Sequence, residues 1–455
     1  MPSIAPPPDF RRTRATSAMT PLPSSLGELA ELCGGEVDRL GVLLWLTARR
    51  IEAGLDSRQR RSGPTSASLH PACVHEDRAL SYELALDFEE HARAGETVAR
   101  DLESLAYPWD HDDAPTPTAS AAACRRLAEW CEGTGRLGFA IRFADAAAEL
   151  DPSEPLLANL AGRLNREAGH WLRAHAHFRR GVAAARVKND RMAYVRGYLG
   201  WGNLWAELGE HAEARKLYQR AAWHAQRSGR RALAAEVHHD MLVMAAAAGE
   251  YEDAARFAER AINVYPVHHE RIPALAYDFA LLLIRQRMHQ GALPLLEKAA
   301  GKFRLPNLSV LAMSALARAA AGAGKVAAYS EARERALDEI TRFGLNAPAP
   351  FVNLAYAARC VRDWSRTEEY AARAHELAAA RGYAEEERLA AMLLRWSSAR
   401  VEEEAPVEMP RWRPGMQFEP LLPLIHQRLS SVLARWRGPT WRRKQQAGQE
   451  QRGKV

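Results

Sequence analysis

Residues 198–221 read YLGWGNLWAELGEHAEARKLYQRA, and this stretch decides the fold of the chain. Apolar residues recur at three- and four-residue steps on both sides of Gly209-Glu210, which predicts two amphipathic helices joined by a tight corner. Large side chains alternate with small ones along both helices, as expected where two helices cross closely. We therefore predict that Trp201, Trp205 and Tyr218 pack between helices.

Aromatic residues, Leu-Gly and two alanines stand at fixed offsets in this stretch, which therefore resembles one unit of the tetratricopeptide repeat (TPR) family. Neighbouring units resemble it with more changes; they start near residues 121, 155, 195, 235, 273 and 348, with a degenerate unit over roughly 308–339. Most starts are about 38–40 residues apart, similar to the extended TPRs of bacterial regulators and eukaryotic scaffold proteins. The resemblance implies an all-α fold, a right-handed α-solenoid (a TPR superhelix).

Changes in composition divide the rest of the chain. We predict, in order, a disordered basic and Pro-rich leader (1–24), a helical N-terminal domain (25–107), an acidic linker (108–120), the TPR-like array (121–400), a second linker (401–416), an amphipathic helix (417–437) and a disordered basic tail (438–455). The amphipathic helix has two interpretations. We favour a cap that covers the open apolar edge of the last repeat over a helix that lies on an anionic membrane or nucleic acid.

The net charge of +6 belongs to the ends of the chain. Residues 1–24 carry +2 and residues 410–455 carry +8, so the body between them is acidic. A weak contact of the basic tail with nucleic acid is therefore an open alternative. The five cysteines do not suggest a disulfide framework, and no apolar stretch is long enough to span a bilayer. We expect a cytoplasmic protein without a transmembrane segment.

The sequence contains none of the common nucleotide-binding, nucleophile-elbow or zinc-helix motifs. His70, Cys73 and His75, with Cys33 as a distant fourth ligand, have the residue types for zinc, but a second close pair of ligands is missing. Glu236 and His239 have the spacing of half a di-iron site, and no second copy is present. We predict no metal, no cofactor and no enzymatic activity.

The resemblance to TPR proteins implies that the first helix of each unit lines a concave groove that binds a protein or peptide. By their offsets in the family pattern, the expected groove residues are Asn159, Arg163, Arg166, Arg196, Asn203, His239 and Tyr277. Amides can bracket a peptide backbone and guanidinium groups bind carboxylates. The set resembles the carboxylate clamp of chaperone-binding TPRs, which has Lys where Arg163 and its neighbours stand. The alternative is a solvated helix face, with Arg163 and Glu167 as an ordinary i,i+4 pair.

We therefore predict a non-enzymatic scaffold whose concave groove binds a peptide or protein segment. The alternative is a TPR-type transcriptional or signalling regulator, in which residues 25–107 form a diverged DNA-binding domain.

Overall fold

The computed structural model describes residues 96–106, 116–303, 305–381, 383–402 and 421–437, and scattered positions between 41 and 55. Every regular element from residue 96 onward in these ranges is an α-helix. The helices are α1 (Glu96–Ala106), α2 (Pro117–Gly133), α3 (Leu137–Leu150), α4 (Pro155–Glu167), α5 (Trp171–Val187), α6 (Arg191–Glu207), α7 (His211–Arg227), α8 (Arg231–Ala247), α9 (Tyr251–Val264), α10 (Ile272–Arg285), α11 (His289–Ala300), α12 (Pro306–Gly322), α13 (Val326–Phe343), α14 (Pro348–Cys360), α15 (Trp364–Arg381), α16 (Ala384–Ser398) and α17 (Leu422–Arg435).

From α2 onward, consecutive helices pack as pairs joined by short corners, which confirms the all-α repeat fold expected from the sequence. The corner between α6 and α7 illustrates why the chain turns there. Gly209 has a φ of +78°, a left-handed conformation that glycine adopts without strain. The next amide, of Glu210, donates to the carbonyl of Trp205 at 2.9 Å and so ends α6.

Aromatic rings fill the space between paired helices, as predicted for the opening stretch. Tyr218 is 1% exposed, and Trp201 and Trp205 are buried. A Cβ on Gly202 would lie 2.7 Å from a ring carbon of Tyr218, so only glycine lets these two helices approach as they do.

The chain divides into two compact units, residues 1–201 and residues 202–455. In unit 1, the described positions between 44 and 55 and helix α1 share one apolar core with α2 and α3. Helix α2 begins at Pro117, inside the predicted acidic linker, because Thr116 caps it and proline suits the first helical position. The division into a leader, an N-terminal domain, linkers and a tail stays a prediction, and residues 1–24 and 438–455 lie outside the described residues.

In unit 2, helix α17 packs against α9, α10 and α11. Its apolar residues Ile425, Leu429 and Leu433 are buried in the main core of the unit. The indole N–H of Trp436 donates to the carbonyl of His269 at 2.9 Å. The helix therefore docks on the repeats, but not on the last pair as expected. The last pair is already covered by α16, which packs on both α14 and α15.

Across the described ranges, none of the helices is both long enough and apolar enough to cross a lipid bilayer.

Candidate functional site

The first helices of successive pairs in unit 2 contact one another and form a continuous layer. We call the surface made by α8, α10, α12, α14 and α16 the inner face of unit 2. The carboxyl group of Glu386, on α16, acts electrostatically on Tyr277 and Arg285, both on α10. Helices α10 and α16 are three pairs apart in sequence, yet charged groups on one affect the pKa of groups on the other.

In unit 1, Arg163 is held by two carboxylates. Its guanidinium donates to both oxygens of Glu132, at 2.5 and 2.8 Å, and to Glu167 at 3.0 Å. Burial acts to lower the pKa of Arg163, but the charges of Glu167 and Glu132 outweigh it and raise the pKa. The i,i+4 pair with Glu167, which belonged to the alternative interpretation, is therefore present, and the longer-range pair with Glu132 joins α4 to α2.

Three further groove residues predicted in unit 1 have different surroundings. The amide N–H of Asn159 donates to the carbonyl of Ala193 at 2.9 Å and ties α4 to α6. Arg166 is half-buried, with its guanidinium 3.8 Å from Glu167. Arg196 is exposed. Arg163 and Arg166 thus approach the same carboxylate of Glu167, while Asn159 contacts the backbone of α6.

In unit 2, Asn203 belongs to a chain of polar contacts. The Tyr218 hydroxyl donates to its side-chain oxygen at 2.5 Å, and its amide N–H donates to Asp240 at 3.2 Å. Asp240 also accepts from Arg271; burial acts to lower the pKa of Arg271, but Asp240, Tyr265 and Glu236 together outweigh burial and raise it. Asn203 thus links α6, α7 and α8.

His239 is buried and contacts two polar groups. Its Nε2 lies 2.7 Å from a carboxylate oxygen of Asp278, and its Nδ1 lies 3.4 Å from the hydroxyl of Tyr265. Glu236, which shares the di-iron-like spacing with His239, instead approaches His269 at 3.7 Å. The two motif residues therefore do not converge on one point.

Tyr277 is half-buried on the inner face of unit 2, and its ring meets that of Phe303 edge to face at 6.3 Å. Burial raises the pKa of its hydroxyl, while Arg318 and Arg285 act to lower it. Burial also raises the pKa of Glu386.

Arg318 on α12 also lies on the inner face of unit 2, and it was not among the groove residues predicted from the sequence. Its guanidinium lies 3.8 Å from the ring centroid of Tyr356 on α14, which is a cation–π contact. It also donates to the side-chain oxygen of Asn353 at 3.4 Å. Arg318 falls in the degenerate sixth unit, where the offsets of the family pattern do not identify groove residues. An arginine and a tyrosine on successive first helices could have indicated the contact.

Among the described residues, no group of three or more His, Cys, Asp or Glu side chains could hold a metal ion. The candidate zinc residues Cys33, His70, Cys73 and His75 lie outside the described residues.

No protein-family model and no curated protein matches the chain. Among solved structures, it is similar to a Rap protein complexed with the competence and sporulation factor, at 10% identity over 78% of this chain and 98% of that chain, with a TM-score of 0.35. It is also similar to the Cut9-Hcn1 hetero-tetramer of APC/C, at 13% identity over 79% of this chain and 62% of that chain, with a TM-score of 0.40. The TPR2AB domain of yeast Sti1 in complex with pHSP90 is 16% identical over 61% of this chain and 98% of that chain, with a TM-score of 0.24.

Proposed function

We propose that the protein is a non-enzymatic interaction scaffold and that the inner face of unit 2 binds an extended peptide segment of a partner protein. The observation that carries the proposal is the contact of Arg318 with Tyr356 and Asn353, on the same layer of first helices as Tyr277 and Arg285. Cationic, amide and aromatic groups are thereby gathered on one face.

The chemistry of this face suits a peptide with acidic and apolar side chains. Guanidinium groups bind carboxylates through paired N–H donors, and Arg285 is exposed at the end of α10. Half-buried aromatic surface, as on Tyr277, gives apolar side chains a place to pack. The carboxylate of Glu386 would repel acidic side chains, so the acidic groups of the peptide must lie nearer to the arginines than to α16.

The residues predicted from the TPR pattern divide into two proposed roles. We propose Tyr277 as a peptide contact in unit 2, with Arg166 and Arg196 as contacts for a ligand of unit 1. We propose that Asn159, Arg163, Asn203 and His239 act by positioning the first helices, since each contacts another helix or corner of its own unit.

A selection followed by a matched pair of variants tests the proposal. A random-peptide library would be selected against the intact chain, and the affinity of the enriched peptides measured with Arg318→Glu and with Arg366→Glu. Arg366 is exposed on the second helix α15 and pairs with Asp363 at 2.9 Å. Arg366→Glu therefore changes the net charge as much as Arg318→Glu does, but at a site away from the inner face.

We expect Arg318→Glu to weaken binding at least ten-fold, because removing one charge-assisted contact costs roughly 1.5–3 kcal/mol, while Arg366→Glu leaves the affinity within about two-fold. If no peptide is enriched, or if both variants weaken binding equally, the inner face of unit 2 is not the binding site.

We also propose a reducing, cytoplasmic compartment. Cys124 and Cys131 are buried free thiols, and burial raises the pKa of both. Fractionation of cells that make the protein would test this, and recovery outside the cytoplasmic fraction would contradict it.

A further inference from the structure

One outward-facing stripe of helix α7 combines an exposed tryptophan with positive charge. Its residues follow at three- and four-residue steps, so they lie on one side of the helix. They are Lys216, Gln219, Arg220, Trp223 and Arg227. Trp223 is 52% exposed, which is unusual for the largest apolar side chain in a protein.

The indole of Trp223 is held in place by two neighbours. The guanidinium carbon of Arg227 lies 4.6 Å from the ring centroid. The imidazole of His224 meets the indole edge to face, with centroids 4.6 Å apart and planes at 88°. A cavity of about 390 Å³ opens here, lined by Lys216, Gln219, Arg220, Trp223 and His224. The exposed ring is therefore oriented and lies beside an open space.

The charge around the cavity is positive. Glu213 is the only acidic residue of α7, and it pairs with Lys216 at 2.5 Å. Arg215 is paired with Glu250 of α9. Within the part of the chain that the structure describes, Arg220 lies within ion-pair distance of no carboxylate. The stripe thus offers cations to an anionic ligand.

We propose that this stripe binds single-stranded nucleic acid, with a base stacked on the part of Trp223 that lines the cavity, the flanking phosphates bound by Lys216 and Arg220, and Arg227 holding the indole. Aromatic rings bind bases through their faces without selecting the base, and cations along the same groove follow the phosphates. The site lies on a second helix and is separate from the inner face of unit 2.

The lining of the cavity favours a base over a peptide side chain. Trp223 is the only large apolar side chain in it, whereas recognition of an acidic peptide segment normally adds apolar pockets for alternate side chains. A stacked base requires one accessible ring face, and a single strand exposes its bases where a duplex does not.

The test measures binding of the intact chain to fluorescent 12-nucleotide strands, oligo-U and oligo-dT, and to a duplex of equal length, by anisotropy over a range of salt concentrations. Variants would be Trp223→Ala and Arg220→Glu. Their matched controls are Tyr251→Ala, which removes another exposed aromatic ring, and Arg256→Glu, which reverses an exposed charge on α9.

We expect both strands to bind better than the duplex, because a duplex hides the base faces that would stack on Trp223. Oligo-U and oligo-dT should bind similarly, because the proposed contacts do not involve the sugar. Trp223→Ala should weaken strand binding roughly ten-fold, the loss expected for one stacked base. Arg220→Glu should weaken it similarly and reduce the salt dependence by about one phosphate contact, and both controls should stay within about two-fold.

Three results would overturn the proposal. The first is strand binding that is unchanged in Trp223→Ala and Arg220→Glu, which would assign the binding to the basic ends of the chain. The second is equal binding of duplex and strand. The third is binding of an oligo-glutamate peptide that depends on Trp223 where the strands do not bind, which would make the stripe a site for acidic protein segments.

Discussion

Arg163 in unit 1 and Arg318 in unit 2 both belong to first helices of the repeats, yet their surroundings differ. Arg163 donates to Glu132 and Glu167, so its charge is balanced within the protein. Arg318 lies over the ring of Tyr356 and contacts the neutral amide of Asn353. Two arginines on first helices thus differ in the groups that the neighbouring helices bring to them, and of these two we propose a ligand contact for Arg318 only.

The change that we expect to be largest is the loss of unfolding free energy in acid that comes from His289, whose ring is close to Arg318. Burial, with help from the charge of Arg318, lowers the pKa of His289 to about 4 from an ordinary value of 6.5. The unfolded chain therefore binds a proton more readily than the folded one, so this group's stabilisation is complete above about pH 6.5 and is lost as the pH falls towards 4. The loss approaches about 3 kcal/mol, since one pKa unit corresponds to about 1.4 kcal/mol.

Urea unfolding at pH 7 and pH 4.5, for the intact chain and for His289→Gln, would measure this loss. The variant should lose about 2–3 kcal/mol less stability between the two pH values. Identical losses in the two proteins would show that His289 is not held neutral by its surroundings.

The next effect concerns the packing of the same histidine. A Cβ on Gly322 would lie 2.4 Å from the Cγ of the His289 ring, so Gly322→Ala forces the ring to shift and should cost about 1–3 kcal/mol. Gly301→Ala is the control, because a Cβ at Gly301 meets nothing within 4 Å. Thermal unfolding of both variants checks the difference, and equal stability would mean that the ring has room to move.

We expect truncation of Arg163 and truncation of Arg318 to lower the stability of the fold by different amounts. Arg163→Ala leaves the carboxylate of Glu132, whose side chain is 10% exposed, without its main partner. Because the Arg163 side chain is itself 36% exposed, solvent screening reduces the cost to about 1–2 kcal/mol.

Arg318→Ala removes a cation–π contact, which is worth about 0.5–1 kcal/mol at a partly exposed site, and a long hydrogen bond of 3.4 Å to Asn353. Chemical unfolding of the two variants at low and high salt would separate them, with the loss for Arg163→Ala shrinking as salt increases. If Arg318→Ala were the more destabilising, Arg318 would be a structural residue and the contrast would be reversed.

The sequence predicted the features that depend on local pattern. The helix pairs, the corner at Gly209 and the buried rings of Trp205 and Tyr218 follow from periodicity and residue size over a few turns. The Arg163–Glu167 pair was also within reach, since both residues lie on one helix.

Features that depend on distant segments could not be read from the sequence. Glu132, the stronger partner of Arg163, lies 31 residues away, on another first helix. Asp278, which contacts His239, is 39 residues away. Helix α17 has an apolar stripe that could pack on any apolar surface. Its position on α9, α10 and α11 therefore could not be predicted from its own residues.

Site-specific photo-crosslinking of a selected peptide would test most directly whether the inner face of unit 2 binds it. Benzoylphenylalanine would replace Leu281, which is half-buried on α10 one turn from Tyr277, or Arg256, exposed on the second helix α9. The proposed function predicts strong crosslinking of the peptide to position 281 and background crosslinking at position 256. Equal crosslinking at the two positions, or crosslinking at position 256 alone, would contradict it.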